Sequence, residues 1–502
     1  MDKATLTNES LAAVKAARDP SLAKAWVQSG SAISGITAYD LEAPSKKLYP
    51  VITPLRNSIP RVSGKGGIQA NWRAITAINT GKQSIGVAQG KRTGAIVTST
   101  QDYTAAYKGI GLEDYVEFEA DYAAEHFEDI KATAVDGLLK ATMIGEEFVI
   151  LAGNSGLALG NTPTPTLSTA NTGGSLNGNT AYGVGVVALT PEGYYINGGN
   201  VAAGITQTVV RNNMDSTQDT VNAGTAKPSA QANVTTANTG ANTHCVNASV
   251  AAVTGAVGYA WFIGPAAGNL VLAAVTLINS ANITAAGAGT QVFSTLTATD
   301  FSRNSLIFDG LLTMGFQSGT LGSYQKVMAT GTPGVGTPLT GDGNGGVVEI
   351  DAALKWFWDQ LRLSPDEIWV HSQEMQSISK LILSGNSTLS AARFVFNADQ
   401  GALAGGIMVK SYLNKFTMAG AKEIPIKLHP NMPAGTILFL TKMLPYPLSN
   451  VTNVMQIRNR REYYQIEWPL RTRRWEFGVY ADEVLQHFFP PSLGVITNIA
   501  PS

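Results

Sequence analysis

The period of the hydrophobic positions changes several times along this chain, and each change marks a change of element. Over 117–152, Phe127, Ile130, Ala134, Leu138, Ala141, Gly145 and Phe148 recur every three or four residues without an intervening proline. That spacing puts them on one face and predicts a single helix, on the order of 50 Å long. Residues 1–29 carry a looser stripe (Leu11, Val14, Ala17, Leu22, Trp26) broken by Pro20, which predicts a short helical arm. From 31 to 61 the period is lost among Pro44, Pro50, Pro54 and Pro60. Proline removes donors and favours extended backbone, so this stretch reads as an extended arm. It lies either on another molecule or as a wrap over its own core.

Residues 62–102 read as a hairpin. The β-prone runs 71–78 and 95–100 are separated by Gly, Lys and Gln residues that include Gly90-Lys91-Arg92. A lone hairpin is not stable in water, so it needs a surface to rest on. From Asn154 to Thr299 charge nearly vanishes, leaving Glu192, Arg211, Asp215, Asp219 and Lys227. Here β-branched runs (183–189, 206–211, 250–253, 270–277) alternate with Gly and Asn turns, which predicts an all-β sandwich. Charge and helical spacing return after Asp300. Helices are expected at 351–361 and 372–383, and strands at 367–371, 406–410, 424–428, 435–440, 453–467 and 473–480. The whole is α+β, with an all-β module set inside it.

Composition narrows the function. The 502 residues balance 35 Lys+Arg against 36 Asp+Glu, and only 14% are charged. Such a surface repels copies of itself weakly and lacks the many phosphate contacts of a tight nucleic-acid binder. A single cysteine, Cys245, excludes an internal disulfide and cysteine-rich metal sites. The N-terminal stretch has no secretory apolar core, and no apolar run reaches the about 18 residues of a membrane span. Nucleotide-binding glycine loops, zinc-protease and nucleophile-elbow motifs are missing, so no enzyme is expected. Asp342-Gly-Asn-Gly-Gly346 resembles a calcium loop but has Val347 and Ala353 where a glycine and a glutamate are needed, so it reads as a turn. His371 ends a strand and reads as an ordinary hydrogen-bonding residue rather than a base.

Two charged clusters stand out. Acids gather at Glu113, Asp114, Glu117, Glu119, Asp121, Glu125, Glu128 and Asp129; arginines gather at Arg458, Arg460, Arg461, Arg471, Arg473 and Arg474. The arginines meet phosphate, or a partner's acidic helix, or solvent; pairing with a partner's helix is the favoured reading.

The order of these parts resembles that of tailed-bacteriophage major capsid proteins with the HK97-like fold. The stretches that carry the likeness are 36–44 with 49–56, 186–193, 424–430, and 462–465 leading to 475–480. The resemblance implies an N-terminal segment and N-arm (1–61), an E-loop hairpin (62–102), a peripheral domain with its spine helix (103–155) and an inserted Ig-like β-sandwich (156–299). It further implies a connecting region (300–349), part of an axial domain (350–405), and returning peripheral strands with a C-terminal axial segment (406–502). Intersubunit contacts would then involve Tyr39, Leu41, Tyr49, Trp72, Lys82 and Lys91, with Glu117, Asp121, Glu125 and the six arginines. Some relatives cross-link subunits, for which Lys82 or Lys91 would supply an amine and Asn459 an amide. The implied function is an icosahedral virion capsid, self-assembled from pentamers and hexamers in the host cytoplasm. It would enclose double-stranded DNA without sequence-specific contacts. Separate scaffolding, portal and decoration proteins would assist, and no membrane or cofactor is implied. The alternatives are an encapsulin-like nanocompartment shell or an extracellular surface-layer or adhesin protein.

Overall fold

A computed structural model describes residues 46–78, 86–125, 128–237, 242–317, 322–383, 409–418 and 420–501. The expected helical arm, most of the N-arm with Tyr39 and Leu41, Lys82, His126 and much of the 350–405 region lie outside the described residues. The chain runs through α1 (Pro54–Ser58), β1 (Arg61–Ser63), β2 (Gln69–Ile78), β3 (Thr98–Ala106), β4 (Lys108–Glu117), α2 (Phe118–Ala124) and α3 (Ile130–Ala152). A β-rich stretch follows: β5 (Thr166–Ala170), β6 (Ala181–Leu189), α4 (Pro191–Asn197), β7 (Thr208–Asn212), β8 (Gln218–Asn222), β9 (Ala232–Thr235), β10 (Cys245–Ser249), β11 (Gly258–Pro265), β12 (Val271–Thr276) and β13 (Ser280–Ile283). Next come α5 (Leu311–Phe316), β14 (Tyr324–Val327), α6 (Val348–Trp356), β15 (Glu367–Val370), α7 (Ser372–Leu383) and β16 (Ser411–Asn414). The chain closes with β17 (Lys422–Leu428), β18 (Ile437–Leu440), β19 (Met455–Glu467), β20 (Arg474–His487) and β21 (Gly494–Thr497).

The long helix expected over 117–152 is two helices, α2 and α3, and its first residue, Glu117, ends strand β4. Residues 108–117 form a strand because β20 offers a complete antiparallel partner, from Glu483↔Lys108 to Arg474↔Glu117. That pairing lets Val116 join Leu138, Phe477 and Val479 in a small core. A fresh helix then starts at α3. Asp129 has extended backbone, and its carboxylate accepts the Ala132 N–H at 2.9 Å, the usual N-cap arrangement. Over its 23 residues α3 is about 35 Å long. It ends at Gly153, where a Cβ would come within 2.3 Å of the Phe308 carbonyl, so only glycine permits this approach.

α3 packs on a four-stranded sheet ordered β1-β19-β20-β4, in which β1 alone runs parallel to its neighbour. A mixed six-stranded sheet, β14-β21-β18-β15-β17-β16, carries α6 and α7. One core joins these two sheets: Ile150 and Leu151 of α3 meet Trp369, Leu438, Ile457 and Leu485. Most of the strand expected at 406–410 lies outside the described residues; a strand at Ser411–Asn414 pairs with β17.

Residues 166–283 form two facing layers, β13-β10-β5 and β12-β11-β6-β9. Val184, Val186 and Trp261 meet Val246, Ala248 and Ile283 between the layers. The other face of β6 and β11 is also covered: Val187, Leu189, Ala260 and Phe262 pack under Ile205, Leu270 and Leu296. Burial on both faces explains why 183–189 is a continuous apolar run rather than an alternating one. The strand expected at 250–253 lies earlier, at β10, and pairs with β5 and β13. Trp261 is fully buried and its Nε1–H donates to Thr276 Oγ1 at 2.8 Å. Trp261→Ala therefore empties the centre of the two layers. We expect it to cost about 3–5 kcal/mol, read as an earlier urea transition of this region.

Candidate functional site

β2 and β3 form a two-stranded ribbon whose register runs from Gln69↔Ala106 to Ile78↔Thr98, with one bulge at Ile75/Ala77. Only its base rests on the body. Trp72 stacks on Tyr103 (5.7 Å between centroids, 17°) and meets Phe488 edge-on at 5.9 Å. Ala70 is buried in the central core. Beyond Trp72 the ribbon loses this support: Ile75 is 69% exposed, Ile78 59% and Val97 61%. Arg73 and Asp102 pair across the strands at 2.5 Å in solvent, and the tip residues around Lys91 are exposed. Ahead of the ribbon, Leu48, Tyr49 and Ile52 are exposed as well.

Between these two exposed parts the chain is clamped to its own body, so residues 53–61 of the expected arm follow the reading of a wrap over the chain's own core. Leu55 and Ile59 are buried in the central core. Two adjacent glutamates of α3, both buried, hold the segment. Glu147 accepts the Leu55 N–H at 2.9 Å and the Arg56 N–H at 2.7 Å, satisfying orphan donors at the start of α1. His429 Nε2 lies 2.6 Å from the same carboxylate. Since His429 Nδ1 accepts the Asn431 N–H, Nε2 carries the proton and donates to Glu147. Glu146 takes the side chains: Arg56 Nε donates to it at 2.8 Å, and Arg61 Nη2 and the Tyr463 hydroxyl donate to it too. Arg61 Nη1 also donates to Glu483 of β20 at 3.0 Å. Burial, and next the Glu146 charge, push the Tyr463 hydroxyl up from its ordinary value. No motif marks this clamp in the sequence. Its one trace is a pair of acids, Glu146-Glu147, inside an otherwise apolar helical face.

The arginine cluster also finds its partners within the chain. Arg473 pairs with Glu119 at 2.7 Å, Arg474 with Glu476 at 2.7 Å and Arg460 with Asp482 at 2.9 Å. Arg461 lies over Tyr464 and Arg474 over Tyr115. Because β4 is hydrogen-bonded to β20, Glu117 sits opposite Arg474 in the same molecule. Arg458 Nε is buried and unbonded among the described residues. Arg471 lines a groove of about 750 Å³ with Asp215, Trp468 and Tyr480. Asp121 and Glu125 stay apart from the arginines, in a shallow groove with Glu128, Asp129 and Lys131. Asn459 is buried opposite Glu483, out of reach of a neighbour's lysine as a cross-linking amide.

Other sites are plain. Asp342 Oδ1 accepts the Asn344 and Gly346 N–H groups, which makes that loop a turn. His371 Nδ1 accepts the Gln373 N–H, and burial lowers its pKa. Cys245 is buried. Among the described residues no group of three His, Cys, Asp or Glu side chains could hold a metal ion, and no helix is long and apolar enough to cross a membrane.

No family model matches the chain, and no curated protein matches it. Solved structures align along nearly its whole length. The capsid of Myoviridae phage XM1 aligns at 9% identity and TM-score 0.39, over 91% of this chain and 95% of that one. A cyanophage A-1(L) capsid chain aligns at 12% and 0.39, over 92% and 96%. The capsid of a native GTA particle aligns at 8% and 0.39, over 94% and 97%. Likeness this distant assigns neither family nor function.

Two outcomes follow from the clamp and its surroundings. Glu146→Ala strands two largely buried guanidinium groups and should cost about 3–5 kcal/mol in urea melts. His487 is buried and held neutral, pushed down to about 3 from 6.5 by burial. Its contribution is full above pH 6.5 and is lost as pH falls towards 3, because the unfolded chain takes up the proton first. Stability should fall by up to about 1.4 kcal/mol per pH unit across that window on this account. His487→Asn, compared by urea melts at each pH, should lack that component.

Proposed function

We propose that this chain is the structural, non-enzymatic subunit of an HK97-like virion capsid, built from pentamers and hexamers around double-stranded DNA. The observation that carries the reading is the ribbon of β2 and β3. It has two strands, two free edges and isoleucines bare beyond Trp72. Such a ribbon gains its burial from a neighbour. Laid across a second subunit it would bury apolar surface worth about 25 cal/mol per Å², offset by the cost of ordering. Each subunit both gives and receives such overlaps, so contacts of modest strength add up around a closed shell.

The order of sequence blocks resembling the HK97-like coats supports the same reading, with residues 62–102 as the E-loop and α3 as the spine helix. The β layers of 166–283 stand as an inserted accessory domain with an almost uncharged surface. Scaffolding and portal proteins are expected as separate chains, with assembly in the host cytoplasm.

Ile75→Asp with Ile78→Asp tests the reading. Both sites are exposed in the single chain, so folding stability should change by no more than about 0.5 kcal/mol each. Particle yield in negative-stain micrographs should fall by about tenfold or more. Unchanged particles would exclude the ribbon as the assembly contact. Protein cargo in place of nuclease-protected DNA would point instead to a nanocompartment shell.

A further inference from the structure

The clamp contains a fault. Beneath β1, Glu483 Oε1 and both polar side-chain atoms of Asn459 are buried without a hydrogen-bond partner among the described residues. Glu483 and Asn459 stand opposite each other across β20 and β19. Buried groups left unpaired are costly, and water would satisfy them. Among the described residues the short segment from Thr53 to Gly64 covers this side, with Ser63 opposite Asn459 in the register. A three-residue parallel pairing, the Glu147 contacts and two arginines hold it. Residues 46–52, whose Lys47 pairs with Asp136 of α3 at 2.6 Å, and the root of the ribbon are both continuous with this segment.

We propose that residues 53–64 form a proton-controlled strap: the Glu483 carboxyl carries a proton beneath Arg61 while the strap is closed, and loss of that proton frees the strap and the root of the ribbon from the sheet. Every group that faces Glu483 enters the balance. Arg61 of β1 attracts its charge, donating to it at 3.0 Å, and the Glu146 carboxylate of α3, which accepts from the same guanidinium, repels it. Asn459 of β19 is neutral, and Lys108 of β4, its register partner, turns its ammonium to the Ser305 carbonyl at 2.6 Å. Arg56 and Tyr463 act on it through Glu146. Burial is the largest influence, ahead of Glu146 and then Arg61, and together they push Glu483 up to about 8. Opening the strap hydrates the carboxyl, and that gain outweighs the loss of Arg61. The open form therefore binds the proton less tightly, and rising pH favours it.

Hydrogen exchange followed by mass spectrometry on the full-length chain, from pH 6 to 9.5, decides the matter. Protection of 53–64, corrected for the intrinsic exchange rate, should fall by up to about tenfold per pH unit and level off above pH 8. Strand β18 serves as the reference and should keep its protection. In Glu483→Gln the strap should keep its pH 6 protection throughout. Wild-type protection that does not change with pH would overturn the proposal, as would an equal fall in Glu483→Gln. If Glu483→Gln loses the β18 reference, isotope-edited infrared spectra of the 13C-glutamate-labelled wild-type chain replace it: a protonated-carboxyl band present at pH 6 and lost by pH 9.5 is expected, and no such band at pH 6 overturns the proposal.

Discussion

Glu146 and Glu147 on α3 hold the segment from which both outreaching parts of the chain depart. One carboxylate binds backbone N–H groups and the other binds guanidinium groups. The pair therefore fixes position and direction together. Without it, neither residues 46–52 nor the ribbon has a defined starting point. The contacts are buried and charged, so their worth lies less in net stability than in setting one geometry. The ribbon depends on that geometry because it has no core of its own past Trp72.

The body around the clamp is arranged to be stiff where the ribbon is not. α3 lies on a sheet whose outer strand, β4, is acidic and whose neighbour, β20, begins at Arg474, just after Arg473. Arg473, just before β20, pairs with Glu119 just past the end of β4, across more than 300 residues of sequence. This leaves a surface with little field of its own, in keeping with the near-zero net charge of the chain.

Much of the fold was legible. Sharp composition changes at Asn154 and Asp300 marked the β layers, and α7 and β15 follow their local patterns. The long helix was legible except for its break: Asp129 caps a fresh helix after α2, and Glu117 ends β4 because of its register with β20, some 360 residues later. The clamp was illegible for a similar reason: Arg56, Arg61, Glu146, His429, Tyr463 and Glu483 are scattered along the chain, and each alone looks like a surface residue. The arginines were visible as a cluster, but their partners were not, since pairing in cis depends on strand order.

The parallel pairing of β1 with β19 also orders events in time. About 400 residues separate Arg61 from Ile457, and a chain emerging at about 5–20 residues per second needs on the order of 20–80 s to span them. Through that interval the ribbon is already synthesised while its anchoring strand does not yet exist. The β layers of 166–283, complete in themselves, are finished first. A nascent chain of this kind spends its longest pause with bare isoleucines and no seat for them, which makes it a natural client for holdase chaperones and couples its solubility to the pace of translation.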